Sequence, residues 1–166
     1  TPVEQRGLKA AAGSFRPNST VSRAEIAAFL SRALKLDAAA SGSAGLSDAD
    51  KLPAWAKPHI LSVAGAGLMT GYADSTFGAG DTITRAEIAV IVARALKLTP
   101  LANPALTFAD ASQIPAWARG AIAAVVESGL MEGKDNNRFD AKAGLTRAEA
   151  LTLIVRLLDS LQKEHA

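Results

Sequence analysis

Apolar residues recur with helical spacing in three stretches of the chain, and equivalent positions such as Ile26 and Ile88 are 62 residues apart. The stripes are Ile26, Phe29, Leu30, Ala33 and Leu34, then Ile88, Ile91, Val92, Ala95 and Leu96, then Ala150, Leu153, Ile154, Leu157 and Leu158. Residues three and four apart share one face of a helix. The pattern predicts three equivalent amphipathic helices, which we expect to bury their stripes against one another as a central three-helix bundle with pseudo-threefold symmetry.

A Ser/Thr-Arg-Ala-Glu motif precedes each stripe, at residues 22–25, 84–87 and 146–149. Ser or Thr is a favourable N-cap, and a Glu three residues later completes a capping box. Ile83 and Ile88 flank the second motif as the two halves of a hydrophobic staple. The motif therefore predicts that each helix begins at the Arg.

The second and third copies align without gaps over 48–96 and 110–158. Each copy reads as helix, loop, helix: Pro53 and Pro115 suit a first helical turn, and Gly67 and Gly129 suit a helix end. The first copy lacks the segment before its loop. We expect three modules within one unit, at 1–36 (truncated or divergent), 46–98 and 108–163.

Composition supports an all-α fold. Of 166 residues, 49% are hydrophobic, many of them Ala, and 5% are aromatic, which favours close-packed helices over a sheet.

The net charge of +2 without a Lys/Arg run argues against nucleic-acid binding. No apolar run is long enough for a membrane span. The first residues lack the features of a signal peptide, so the protein is either not secreted or a processed form.

Arg23, Arg85 and Arg147 stand at the first helical position, where the helix dipole disfavours a cation. One interpretation is structural, with each Arg solvated or paired to a nearby carboxylate. The other is a binding site, because a guanidinium beside free helix N–H groups can receive a carboxylate or phosphate. We favour ligand contact for the three Arg residues.

Asp48 and Asp110 each precede a Trp, Trp55 and Trp117, by seven residues. The Asp side chains could cap a turn, accept hydrogen bonds from ligand hydroxyls or orient an Arg. The Trp residues fall in the first turn of amphipathic helices, where a core anchor is the commoner role. A Trp face lining a groove could also stack on a sugar ring.

The loop between the helices carries Gly71 and Gly133 at the same offset from the Arg. Either a positive φ or a close approach of ligand to the backbone would explain a Gly there. Asp74 and the cluster 135–137 lack the ligand alternation and terminal Glu of a calcium loop, so they read as turns.

Signals for catalysis are missing from the sequence. His59 and His165 have no partner pattern, and no nucleophile–base order, phosphate loop or metal-ligand cluster occurs. Cys is absent, which excludes disulfides and thiolate chemistry. We expect no enzymatic activity, no cofactor and no metal.

The combined pattern resembles the S-layer homology family, usually found as three tandem modules. The resemblance rests on the order Asp, Trp-Ala, Gly-Leu, Gly, Phe and Thr-Arg-Ala-Glu, with Phe15, Phe77 and Phe139 as the Phe, and it covers essentially the whole chain. It implies a three-pronged helical spindle with helix-loop prongs around the central bundle. It also implies extracellular attachment, within the cell wall or S-layer, of a protein whose cargo or S-layer domain lies elsewhere.

The usual ligand that the resemblance implies is a secondary cell-wall polymer with a terminal pyruvylated N-acetylmannosamine, bound in grooves between modules. The matching positions are Arg23, Arg85 and Arg147, Asp48 and Asp110, Gly71 and Gly133, and Trp55 and Trp117. The first copy has its Arg without an Asp, Trp or loop Gly, so we expect two grooves better equipped than the third. The alternatives are a helical protein-interaction module without a glycan ligand, or part of a peptidoglycan-active enzyme.

Overall fold

A computed structural model describes residues 16–36, 45–102 and 104–164 of the chain. The described residues form five α-helices: α1 (Arg23–Ala33), α2 (Lys57–Gly65), α3 (Arg85–Ala95), α4 (Ala116–Glu127) and α5 (Arg147–Glu164). Short 3₁₀ turns occur at Ala49–Lys51, Ala111–Gln113 and Asp135–Asn137. Extended pairing over these ranges is limited to isolated bridges, so the all-α prediction is confirmed.

The capping boxes that the motifs predict are present at the starts of α1, α3 and α5. In α3, Thr84 Oγ1 accepts the Glu87 N–H at 3.1 Å, while Glu87 Oε1 accepts the Thr84 N–H at 3.2 Å. The same reciprocal bonds link Ser22 to Glu25 in α1. Thr146 and Glu149 repeat them in α5. Each helix begins at the predicted Arg.

The predicted ends of α2 and α4 are also confirmed. Gly67 and Gly129 both adopt φ +75°, the left-handed conformation that favours Gly after the last helical turn. The next residue, Leu68, donates its N–H to the Val63 carbonyl at 3.0 Å, which completes a Schellman motif.

The prediction for the two prolines is wrong. Pro115 is the N-cap of α4 rather than its first residue. Pro53 lies before a turn that leads into α2, where its carbonyl accepts the N–H groups of Ala56 and Lys57. The Pro near the start of α2 is Pro58. A Pro suits the cap as well as the first turn because its missing N–H is not needed at either place.

One continuous hydrophobic core joins the three copies. The closest helix pairs are α1 with α2, α3 with α4, and α1 with α5, so the second helix of one copy packs along the first helix of the next. Phe77 and Phe139 are fully buried in this core. The central three-helix bundle, the pronged spindle and the module boundaries stay predictions, and Phe15 and the segment before it lie outside the described residues.

The segments that precede α1, α3 and α5 are linked in a ring of backbone hydrogen bonds. The Val21 N–H donates to the Leu145 carbonyl at 3.0 Å, Leu145 donates to Ile83 at 2.9 Å, and Ile83 donates to Val21 at 3.0 Å. All three side chains are buried. This ring brings the three Arg-bearing helix starts together.

Candidate functional site

Three buried Arg side chains form ion pairs that run from each copy of the motif to the next. The pairs are Arg23 with Glu87 at 2.5 Å, Arg85 with Glu149, and Arg147 with Glu25 at 2.5 Å. In every pair the capping-box Glu uses Oε1 for its own helix start and Oε2 for the neighbour's Arg. The Glu therefore caps its own helix with one carboxylate oxygen and binds the Arg of the adjacent module with the other. Sequence reasoning missed this second role.

Arg23 uses all three of its guanidinium nitrogens in hydrogen bonds. Nε donates to the Phe77 carbonyl at 2.7 Å, Nη1 to Glu87 at 2.5 Å and Nη2 to the Thr70 carbonyl at 2.9 Å. The guanidinium also lies 4.6 Å from the centre of the Tyr72 ring. Of its five N–H groups, two remain for other partners.

Arg85 is held in the same way one module further along. It donates to the carbonyls of Phe139 at 2.8 Å and Glu132 at 2.7 Å, and to the Glu149 carboxylate. Its guanidinium lies 4.8 Å from the centre of the Phe139 ring. The structural interpretation of the Arg residues, pairing with a carboxylate, is thus observed for these two side chains, with little of their surface exposed.

The helix N–H groups that were expected to be free beside each Arg are occupied. The N–H groups of Arg23 and Ala24 donate to the Asp81 and Ala79 carbonyls at 2.8 and 3.1 Å. Equivalent bonds run from α3 to the 133–145 loop and from α5 to residues 17 and 19. Because the next module's loop satisfies these donors, the helix start itself offers no vacant anion site.

Asp48 and Asp110 hold the loop that lies behind the Arg. Asp48 accepts the N–H groups of Phe77 at 2.9 Å and Gly78 at 3.2 Å. Asp110 accepts those of Phe139 and Asp140, both at 2.9 Å. Neither side chain caps the 3₁₀ turn that follows it, so the capping interpretation is wrong.

Each Asp is linked to an Arg through the backbone of one buried Phe residue. Phe77 donates its N–H to Asp48 and accepts from Arg23 through its carbonyl, and Phe139 links Asp110 to Arg85 likewise. Burial tends to raise the pKa of Asp110, but the bonds from Phe139 and Asp140 and the charge of Arg138 bring this pKa below its usual value. Asp110 is therefore an ionised buried acceptor that positions the loop.

A groove of about 740 Å³ lies between the modules beside Arg23. Its lining combines the 69–73 loop and α3 of the second module with side chains of the third module. The cations along it are Arg23, Arg94 and Lys142, and Glu87 is the anion. Tyr72 and Trp117 supply two aromatic rings. We name this the Arg23 groove.

An equivalent groove of about 390 Å³ lies beside Arg85. It is formed by the 130–134 loop and α5 of the third module, with Lys134 and Arg156 as further cations and Glu132 and Glu149 as anions. We name this the Arg85 groove. Gly133 lines it at the position that Gly71 has in the Arg23 groove.

Gly71 and Gly133 lie where neighbouring atoms leave little room for a side chain. Neither belongs to the residues with positive φ, so that explanation is wrong. A Cβ on Gly71 would lie 2.9 Å from the Thr76 carbonyl oxygen, and one on Gly133 would lie 2.7 Å from the Phe108 ring. The turn readings of the loop tips are confirmed: Asp74 Oδ1 accepts from Thr76, and Asn136 and Asn137 adopt left-handed φ.

Trp55 and Trp117 are exposed, at 55% and 61% of their surface, so the core-anchor interpretation is wrong. Trp117 lines the Arg23 groove, although it belongs to the third module. Trp55 lines neither of the two grooves.

Each groove is lined by residues of more than one module. An Arg and the Asp and loop Gly near it therefore need not come from the same copy. Arg23 is accompanied by Asp48 and Gly71 of the second module, although its own copy lacks both. The expectation that the Arg of the first copy lacks an Asp and a loop Gly is therefore wrong for Arg23. Arg147 of the third copy pairs with Glu25 of the first.

His59 has a partner that the sequence did not indicate. Its Nδ1 lies 3.0 Å from the Ser31 hydroxyl, which joins α2 to α1. Burial and the nearby Arg32 lower the pKa of His59. His165 lies outside the described residues. Over residues 16–36, 45–102 and 104–164, no group of three or more potential ligands is placed to hold a metal ion, and no helix has the length and apolar character to cross a bilayer.

The repeated site geometry agrees with a match to known sequences. The family described as "S-layer homology domain" matches residues 45–89 and 107–151. The first range contains Asp48 and the motif at 84–87, and the second contains Asp110 and the motif at 146–149. The chain belongs to the S-layer homology domain family. The matched ranges correspond to the second and third modules.

Relatives in this family carry varied names. The chain is 37% identical over 115 residues to a surface-layer 125 kDa protein of Lysinibacillus sphaericus, covering 69% of this chain and 10% of that protein. It is 31% identical over 151 residues to a cellulosome-anchoring protein of Acetivibrio thermocellus, covering 89% and 34%. An amylopullulanase of Thermoanaerobacterium thermosulfurigenes is 35% identical over 150 residues, covering 87% and 8%. The chain thus spans about a third or less of these relatives.

Proposed function

We propose that this S-layer homology chain attaches an extracellular protein noncovalently to the bacterial cell wall. The ligand is an anionic secondary cell-wall polysaccharide with a pyruvylated N-acetylmannosamine terminus, bound in the grooves between modules. The observation that carries the proposal is the Arg23 groove, which joins exposed cations and aromatic rings at one inter-module surface. The surface-layer and cellulosome-anchoring names of two relatives support the same attachment role.

The groove suits a sugar that carries a carboxylate. Arg94 and Lys142 are exposed and can approach the ketal carboxylate, while Arg23 also lines the groove and has two N–H groups beyond its structural bonds. A charge-assisted hydrogen bond to a carboxylate contributes about 1.5–3 kcal/mol where it is partly shielded from water. Arg23 thus contributes to binding through the N–H groups that its structural bonds leave over.

The sugar ring has aromatic and backbone partners in the same groove. Trp117 and Tyr72 are exposed on its surface and can cover the apolar face of a pyranose. The backbone beside Gly71 is accessible to hydroxyl or acetamido groups. Asp48 and Asp110 act behind the grooves, since their carboxylates are engaged by loop N–H groups.

The role is attachment without catalysis. The similarity to the amylopullulanase covers 8% of that enzyme, and the surface-layer and cellulosome-anchoring names of other relatives support a binding role. Localisation in the cell wall or S-layer follows from the ligand. The protein to be attached is a cargo or S-layer domain elsewhere in the same polypeptide.

Calorimetric titration with a synthetic pyruvylated N-acetylmannosamine glycoside tests the proposal. Removing the two exposed cations of the Arg23 groove, Arg94→Ala with Lys142→Ala, is expected to weaken binding about tenfold, because two exposed charges each contribute up to about 1 kcal/mol. Lys51→Ala is the matched control, since Lys51 is exposed and lines neither groove. Arg23 is less suited to this test because its removal also breaks structural bonds.

Sedimentation with purified cell wall distinguishes glycan binding from the alternative function as a protein-interaction module. The chain is expected to co-sediment with native wall and to remain in solution with wall from which pyruvate has been removed. Equal retention by both walls, or no binding of the synthetic sugar, would show that the proposed ligand is wrong.

A further inference from the structure

The Arg23 and Arg85 grooves differ in charge at one position of the loop. Position 70 is Thr in the Arg23 groove, and the equivalent residue in the Arg85 groove is Glu132. Both residues use the backbone carbonyl to accept from the buried Arg, at 2.9 and 2.7 Å. The side chain at this position is therefore free to vary without loss of that structural bond.

Glu132 neutralises a cation of its own groove. Its Oε1 lies 3.3 Å from Arg156 Nη2, and Arg156 Nη1 donates to the Leu130 carbonyl at 3.2 Å. Arg94 is the equivalent of Arg156, and the residues described around it provide no ion pair of this kind. Two anions thus oppose three cations in the Arg85 groove, whereas Glu87 is the one anion among the charged lining residues of the Arg23 groove.

We propose that Glu132 is a specificity-determining residue that makes the Arg85 groove discriminate against carboxylate-bearing sugars, so that the Arg23 groove takes the anionic ligand first. This inference rests on the proposed function. A carboxylate entering the Arg85 groove meets the Glu132 carboxylate and an Arg156 that is already paired. In the Arg23 groove the hydroxyl of Thr70 repels no anion and leaves Arg94 available.

The experiment exchanges the two side chains and observes each groove separately. Gly71 and Gly133 line different grooves, and their amide resonances in ¹H–¹⁵N spectra report ligand binding at each one. The probe is the methyl glycoside of pyruvylated N-acetylmannosamine, and the control ligand is the same sugar without pyruvate. The variants are Thr70→Glu, Glu132→Thr and the near-isosteric Glu132→Gln. Glu132 is 79% exposed, so its replacement leaves the core intact.

With the anionic sugar, the Gly71 signal of the wild-type protein is expected to reach half-saturation at a lower concentration than the Gly133 signal. Glu132→Thr and Glu132→Gln should each lower the Gly133 midpoint about twofold to fivefold, the effect of one partly exposed charge. Thr70→Glu should raise the Gly71 midpoint by a similar factor. The uncharged sugar should show none of these changes.

Two failures have different meanings. If Gly71 responds to the anionic sugar but the Glu132 variants leave the Gly133 midpoint unchanged, or shift it equally for the uncharged sugar, Glu132 does not set specificity and the attachment function stands. If neither amide responds to the anionic sugar, the proposed function fails together with this inference.

Discussion

Arg147 and Glu25 are 122 positions apart in the chain and form an ion pair with 2.5 Å between Nη1 and Oε2. The pair joins the third copy of the motif to the first and so completes the circle that Arg23–Glu87 and Arg85–Glu149 begin. The Arg147 side chain is 7% exposed, and the Glu25 carboxylate helps to compensate its buried charge.

Replacement of Glu25 by Gln is expected to lower the free energy of unfolding by about 1–3 kcal/mol, because it removes the charge that faces a buried Arg. Gln at this position still serves a capping box, so the helix content should stay the same. Urea unfolding followed by circular dichroism measures both quantities. Glu127→Gln, at an exposed position at the end of α4, should change stability by less than about 0.5 kcal/mol. Equal effects of the two variants would contradict a closing role for Glu25.

Asp110 is expected to make stability depend on pH in the acid range. The pKa of Asp110 in the folded protein is lower than its ordinary value of 3.8, so the unfolded chain binds this proton more tightly. The stabilisation is present above the unfolded pKa and is lost as pH falls through the folded pKa. Asp110→Asn should cost about 2 kcal/mol near pH 7, where the ionised acceptor of two N–H groups is lost.

The difference between wild type and Asp110→Asn should shrink as the pH of the unfolding experiment falls below about 4. Urea titrations at pH 7, 5, 4 and 3 measure it. A difference that stays constant over this range would mean that the Asp110 charge does not hold the loop.

Gly71→Ala is expected to destabilise the protein by about 1–3 kcal/mol, because the new methyl group would lie 2.9 Å from a backbone oxygen that cannot rotate away. Gly65→Ala is the matched comparison. Gly65 lies in α2 with open space around the position of a Cβ, so Ala should stabilise the helix by about 0.5–1 kcal/mol. Thermal unfolding of the two variants tests the opposite signs.

Trp117→Ala and Trp55→Ala should have different effects on binding and similar, small effects on stability. Both rings are largely exposed, yet Trp117 alone of the two lines the Arg23 groove. We expect Trp117→Ala to weaken sugar binding about threefold to tenfold through loss of the stacking face, and Trp55→Ala to leave the Gly71 response unchanged. A loss of the same size in both variants would remove Trp117 from the site.

The sequence predicted those parts of the fold that depend on neighbouring residues. The capping box joins residues three apart, as in Thr84 and Glu87, and the Gly67 helix end depends on its own φ. The apolar stripes of the helices also follow from local patterns. The sequence alone predicts these features because each depends on residues within one helical turn of one another.

The site depends on pairs that no local pattern contains. Arg23 meets Glu87 across 64 positions, one repeat plus two residues, and Arg85 meets Glu149 at the same separation. That shared separation, with Arg and Glu both in every copy, was a signal that could have indicated the pairing. The contribution of Trp117 to a groove formed mainly by the second module had no comparable signal, because it depends on how the modules meet.

The ring formed by Val21, Ile83 and Leu145 uses each residue once as donor and once as acceptor. A stack of repeats such as a solenoid leaves an open end where one more unit can be added. This circle has no open end, because each of its three backbone N–H groups and each of its three carbonyls is already bonded within it. A further copy of the Ser/Thr-Arg-Ala-Glu motif would therefore have to pair in a second circle.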